Sequence, residues 1–172
     1  MLKNHVRTLA ALAVMACSSA AFAEEVKLEG VHLCCGSCTK AATKSLTGVT
    51  GVSDVKISQD DETIVFQAKD EPAALAGLTA LANAGFYGST KTASPDFAVD
   101  PSAKKNTVEI SGMHLCCAGC TKSAEAALKA VTGVKSVSAE AKQGKMTVKG
   151  DNVSLADTLK ALHEAGFHGT VK

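Results

Sequence analysis

The sequence predicts an α+β chain built from two tandem copies of one βαββαβ unit. Three observations carry that expectation. First, HLCCGSCTK at 32–40 recurs as HLCCAGCTK at 114–122, and the same 82-residue shift lays Leu46 on Leu128, VTGV (49–52) on VTGV (131–134) and Val55 on Val137. With a one-residue slip, AGFYG (84–88) meets AGFHG (165–169). An internal repeat of this kind fixes architecture before any local reading. Second, each copy shows the same succession of period-two and helical-period stretches. Third, residues 92–106 are rich in Ser, Ala, Lys and Pro and read as an exposed linker between a first unit at 24–91 and a second at 107–172.

Within the first copy, residues 25–31 alternate, with Val26 and Leu28 on one face of a strand. The cysteine loop follows. Residues 37–48 place Ala41, Ala42, Ser45 and Leu46 at helical spacing. Val52, Val55 and Ile57 mark a second strand, residues 59–62 a turn, and residues 63–68 a third strand. Asp70 is a helix N-cap with Pro72 in the first turn. That helix presents Leu75, Leu78 and Leu81 and stops at Gly85, with a last short strand after Phe86. The second copy repeats the order. Ser154 and Asp157 form a capping pair ahead of Leu155, Leu159 and Leu162, and Met146 alternates with Val148 as core. The order β-α-β-β-α-β is the split-βαβ, ferredoxin-like plan, with both helices on one face of an antiparallel sheet.

The net charge of +1 gives no electrostatic case for nucleic acid. With no Trp and 3% aromatic residues, the core must come from Ala, Val, Leu and a few Phe, so the stability margin is thin. Residues 1–23 read as a signal peptide: Lys3 and Arg7 precede a short apolar run, and Ala21-Phe22-Ala23 is an A-x-A cleavage site. The run is too short to span a bilayer, and no other segment is apolar enough to do so. Residues 14–17 offer a rival lipobox ending at Cys17, with Met15 unusual in that role. Either route takes the protein out of the cytoplasm, to a periplasm or a comparable exported location.

The six remaining cysteines fall into two sets of three. An oxidising compartment ordinarily calls for structural disulfides. These sets are tightly clustered and odd in number, and neighbours Cys34 and Cys35 pair only under strain, so the pattern points to ligands or redox work. Cys35 and Cys38, like Cys117 and Cys120, lie where a strand gives way to a helix. The free N–H groups and dipole there favour thiolate and lower both thiol pKa values. A two-residue gap lets both sulfurs face one ion. Two or three thiolates suit Cu(I); Cys34 or Cys116 offers the third, and His32 or His114 completes a Cys3His set suited to Zn(II). The plain alternatives are a disulfide in each copy, half-buried Cys34 and Cys116, and exposed or supporting histidines. His168 and the helix-face charges Lys40 and Lys122 read as structural.

These loops, with the landmarks Gly51-Val52, Gly133-Val134, Gly85-Phe86 and Gly166-Phe167, resemble the heavy-metal-associated domain family found in copper chaperones, metal-pumping ATPases and the periplasmic mercury-binding protein. The resemblance spans residues 26–91 and 108–171. It implies that Cys35/Cys38 and Cys117/Cys120 are metal-binding pairs and that a metal transporter or acceptor protein is a partner. The family's loop is G-M-x-C-x-x-C. Here Gly112-Met113 is followed by His114-Leu115-Cys116 before Cys117, so either the loop is longer or Leu115 takes the anchoring role of the methionine. Copy one has Val31 in place of Met113. The metal is therefore left among Cu(I), Zn(II), Hg(II) and Cd(II), with Cu(I) or Zn(II) foremost. The expected function is non-enzymatic sequestration or transfer of a soft metal ion. The competing expectation is a thiol-disulfide oxidoreductase using the CxxC pairs. It is disfavoured because Pro72 opens a helix and Pro95 and Pro101 lie in the linker, leaving none to stand beside such a site.

Overall fold

The computed structural model describes residues 24–92 and 94–172. The leader expected over 1–23, Cys17 included, lies outside the described residues. The first half comprises β1 (Glu24–Glu29), α1 (Gly36–Leu46), β2 (Val52–Ser58), β3 (Thr63–Ala68) and α2 (Glu71–Asn83). The second comprises β4 (Lys104–Ser111), α3 (Ala118–Lys129), β5 (Val134–Glu140), β6 (Lys145–Ser154), α4 (Leu155–Glu164) and β7 (Thr170–Val171). The chain is α+β, with two antiparallel sheets of order β1-β3-β2 and β5-β6-β4-β7.

Alternation explains the sheets. In β3 the side chains of Ile64, Phe66 and Ala68 are buried, and the register sets Val26 opposite Phe66 and Leu28 opposite Ile64. In the second half Val108 faces Val148 and Ile110 faces Met146, all four buried. Capping places the second helix of each half. Asp70 Oδ1 accepts the Ala73 N–H at 2.9 Å, and Ser154 Oγ accepts the Asp157 N–H at 3.1 Å.

The structure departs from the sequence expectations in three places. The first strand ends at Glu29, because the chain turns at Gly30 and carries Val31 and Leu33 off the sheet into the core. Leu75 is half-buried: the buried stripe of α2 runs through Ala74, Leu78 and Leu81, and Leu75 sits one helical step off it. The last strand of the first half reduces to a single bridge between Glu29 and Ser89, after which the chain leaves for the linker. The second half has β7 in that position, paired with β4.

The two halves hold each other by a reciprocal clasp. Phe86 and Phe167 form an isolated antiparallel bridge. The His168 N–H donates to the Gly85 carbonyl at 3.0 Å, and the N–H groups of His32 and Tyr87 both donate to the Gly166 carbonyl at 3.2 Å. The buried Phe167 ring stacks on His32 at 4.4 Å, and the buried Phe86 ring lies 4.7 Å from His114. Burial of each ring is worth about 2 kcal/mol. The glycines are required twice over. Gly85 and Gly166 have φ of 88° and 81°, and a Cβ on them would lie 2.2 Å from His114 N and 2.3 Å from His32 N.

Gly85→Ala and Gly166→Ala are therefore expected to lower stability by more than about 1 kcal/mol, from the left-handed backbone alone, and to separate the halves. Thermal unfolding together with small-angle scattering checks this. A wild-type melting temperature and radius of gyration would show that the approach is not tight.

Candidate metal centre

The clasp brings both cysteine loops to one place. Each loop runs from a buried anchor into a helix. Val31 and Leu33 are buried in the first, Met113 and Leu115 in the second. The Val31 N–H donates to the Glu62 carbonyl and the Met113 N–H to the Gly144 carbonyl, each at 3.0 Å. Leu115 thus adds an anchor to Met113 and does not replace it. Cys35 is the N-cap of α1 and Cys117 the N-cap of α3, both with extended backbone. Cys38 and Cys120 occupy the first turns and are fully buried, Cys35 and Cys117 are half-buried, and Cys34 and Cys116 are exposed at the rim.

All six are free thiols, and they form one cluster. Across the halves, Cys34 Sγ lies 3.3 Å from both Cys117 Sγ and Cys120 Sγ. Cys116 Sγ lies 3.5 Å from Cys35 Sγ and 3.4 Å from Cys38 Sγ. The two buried sulfurs, Cys38 and Cys120, are 3.8 Å apart. Within the halves, Cys35–Cys38 and Cys117–Cys120 are 3.7 and 3.8 Å apart, and Cys34–Cys38 and Cys116–Cys120 are 3.8 and 3.6 Å apart. Donor atoms around a four-coordinate Zn(II) at ~2.3 Å from each sulfur sit ~3.8 Å from one another. The cluster has the spacing of a soft-metal donor set, with no other ligand type needed to complete it.

The thiols differ in acidity. Cys35 is lowered to about 6, first by the Cys38 main-chain N–H beside its sulfur and next by the Cys116 thiol. The contact with that N–H is electrostatic, since no well-formed capping hydrogen bond reaches the sulfur. Cys117 is lowered for matching reasons, the Cys120 N–H and then the Cys34 thiol. Cys34 and Cys116 are pushed up, first by desolvation and then by hydrogen bonds to other sulfurs of the cluster. Although both residues are exposed, their sulfurs face inward. Cys38 is raised by burial. That corrects the expectation of a lowered pKa for both members of the first pair: the helix N-terminus acts on the capping sulfur, and desolvation overrides it one turn in.

His32 and His114 are half-buried beside the sulfurs. Each presents a ring nitrogen within 4.8 Å of two of them, His32 near Cys34 and Cys120, His114 near Cys38 and Cys116. Burial is the largest influence on both and lowers their pKa, keeping the rings neutral and able to ligate near neutral pH. The Nε2 atoms of both are buried without a hydrogen-bond partner. Lys40 and Lys122 are exposed on the helix faces. His168 turns away from the thiols: its Nδ1 meets His163 Nε2 at 2.9 Å, beside Phe97, while Tyr87 stacks on His163 at 3.6 Å. Nothing in the local pattern of either loop signals the union of the two. The recurring Gly-Phe after the second helix of each copy is its only trace in the sequence.

Because Cys35 is a thiolate above about pH 6 and Cys34 and Cys116 stay protonated, alkylation of the reduced protein at pH 7 is expected to label Cys35 and Cys117 first. The Cys35 rate is expected to fall to half near pH 6. Peptide mapping after brief iodoacetamide exposure reads this out, and first labelling at Cys34 or Cys116 would contradict the assignment.

Known proteins resemble this chain in part. Residues 107–168 match the family model of the heavy-metal-associated domain. Over 114 residues, 66% of this chain, the sequence is 32% identical to copper-transporting ATPase 2 of Rhizobium meliloti (strain 1021). The match spans 12% of that relative's length. Among solved structures, a copper binding domain from HMA7, a P-type ATPase, is 32% identical, with 41% of this chain and 95% of that chain covered and a TM-score of 0.34. The N-terminal soluble domains of Bacillus subtilis CopA are 18% identical, with 88% and 95% covered and a TM-score of 0.33. Residues 107–168 of this protein are a heavy-metal-associated domain.

Proposed function

We propose that the chain is a tandem pair of heavy-metal-associated units, exported from the cytoplasm, that sequesters or hands over a soft metal ion through its two CCxxC loops. Cu(I) or Zn(II) is the cargo, ahead of Hg(II) and Cd(II). The observation that carries this reading is the cluster of six free thiols, 3.3–3.8 Å from sulfur to neighbouring sulfur, at the N-termini of α1 and α3. The named relative with copper-transporting activity supports copper, and the two neutral histidines beside the sulfurs supply the nitrogen donors that Zn(II) accepts. Transfer proceeds by ligand exchange: a thiolate of a transporter or acceptor protein adds to the ion as a cluster thiolate leaves. Exposed Cys34 and Cys116, and the cleft of about 1020 Å³ that His114, Cys116, Cys117 and Lys122 help to line, give a partner access. Among the described residues no helix is long and apolar enough to cross a membrane.

Anaerobic titration of the reduced protein with Cu(I) against a calibrated chelator, repeated with Zn(II), tests the reading. Saturable binding that outcompetes the chelator is expected. Failure with both metals, with the loops found oxidised as isolated, would replace this reading with thiol-disulfide exchange. Mass spectrometry of the exported protein is expected to find Glu24 at the N-terminus; retention of residues 1–23, or acylated Cys17, would overturn the cleavage site.

A further inference from the structure

The loops could hold metal as two self-sufficient sites, each using the three cysteines of its own copy. The sulfur positions favour a different pairing. We propose that the ligand sets are crossed: one ion is held by Cys35 and Cys38 together with Cys116 of the other half, and a second by Cys117 and Cys120 together with Cys34. This deepens the soft-metal reading and rests on it.

The sulfurs divide into these two trios without remainder. Cys35, Cys38 and Cys116 are 3.7, 3.5 and 3.4 Å apart pairwise. Cys117, Cys120 and Cys34 are 3.8, 3.3 and 3.3 Å apart pairwise. No sulfur is shared, and each trio becomes the other when the two copies are exchanged. A trigonal site with metal–sulfur bonds of ~2.3 Å needs sulfurs ~4 Å apart, so each trio needs only a small expansion to admit an ion. The set Cys34, Cys35 and Cys38 is held together only to within 4.8 Å. Chain geometry explains why the first cysteine reaches across. Cys35 is the extended N-cap, so Cys34 precedes the helix, and its sulfur, 3.8 Å from Cys38 Sγ, comes closer still to the opposite pair, 3.3 Å from Cys117 Sγ and Cys120 Sγ. The clasp sets the opposite helix N-terminus beside it.

The histidines follow the same crossing. His32 lies near Cys34 and Cys120 of the second trio, and His114 near Cys116 and Cys38 of the first. Each has a buried Nε2 without a partner, an orphaned polar atom of the kind native structures rarely leave unused. His-x-Cys of one copy therefore completes the CxxC of the other, and the third thiolate of each site comes from the neighbouring half.

The test removes one CxxC pair and asks which rim cysteine serves the remaining ion. In the full chain, C35S/C38S leaves Cys117 and Cys120 with both Cys34 and Cys116 present. Adding C34S is expected to weaken Cu(I) binding at least about 10-fold, the minimum cost of disturbing even an outer-shell partner, and to reduce the sulfur coordination read by X-ray absorption from three to two. Adding C116S is expected to change neither. The reverse pattern would overturn the crossing in favour of self-sufficient loops. Equal losses would overturn it in favour of one shared cluster, and no loss from either would show two-coordinate binding by the CxxC pair alone. The mirror series on C117S/C120S should exchange the roles of the rim cysteines, and it carries the test if circular dichroism shows that C35S/C38S misfolds. A folded, reduced C35S/C38S protein that binds no Cu(I) while the unsubstituted protein does would overturn the crossing in favour of one shared cluster, whereas an unsubstituted, reduced protein that binds neither Cu(I) nor Zn(II) would bring down the soft-metal reading itself.

Discussion

Everything distinctive about this molecule depends on two glycines that let the halves touch. Gly85 and Gly166 end the second helices, and each offers its carbonyl to an N–H of the opposite half while its missing side chain admits the opposite loop. The loops being admitted are the cysteine loops: the backbone packed against Gly166 is that of His32, and the backbone packed against Gly85 is that of His114. Docking and site assembly are therefore one event. A backbone contact of this sort tolerates no substitution that adds volume, whereas side-chain contacts elsewhere in the interface can repack.

The electrostatics follow from docking. Two helix N-termini facing each other concentrate partial positive charge at one point. Alone, each would stabilise a thiolate at its own cap, and Cys35 and Cys117 do respond in that way. Bringing six sulfurs together also removes water, and desolvation pushes Cys34, Cys38 and Cys116 up. The cluster is consequently divided between capping thiolates and protonated thiols. Under the proposed function a metal ion arriving there displaces protons from the second group, which couples its binding to pH through Cys34, Cys38 and Cys116 more than through the capping cysteines.

Much of the fold was legible in the sequence. Alternation at Ile64, Phe66 and Ala68 is sufficient to place β3, and Asp70 and Ser154 announce the helices that they cap. The placement of Cys35 and Cys117 at helix starts was legible too, because each loop ends a period-two stretch and begins a helical one. Leu75 misled because α2 is apolar nearly all round, so spacing alone cannot choose its buried face. The short last strand of the first half was lost because a two-residue pairing at a sheet edge is decided by where the following chain goes. The meeting of the loops was not legible. A repeat reveals that two similar surfaces exist, and nothing in either copy states that those surfaces face each other.

That gap bears on what the extra cysteine is for. Taken one copy at a time, a third cysteine next to the CxxC pair is a redundant ligand or a small buried hydrophobe. In the assembled molecule Cys34 and Cys116 are not buried, and the crossed pairing gives each a place of its own. They are the exposed members of the cluster, yet their shortest sulfur contacts are to the opposite half. A ligand that is both exposed and contributed by the other half is the one a competing thiolate reaches first. Its departure leaves the ion on a CxxC pair anchored by a buried sulfur, so under the proposed function the arrangement grades the ligands by how readily they exchange. On the crossed pairing proposed above, duplication of the unit does more than add a second site: it turns a surplus cysteine into the contact through which each half governs the release of the other's ion.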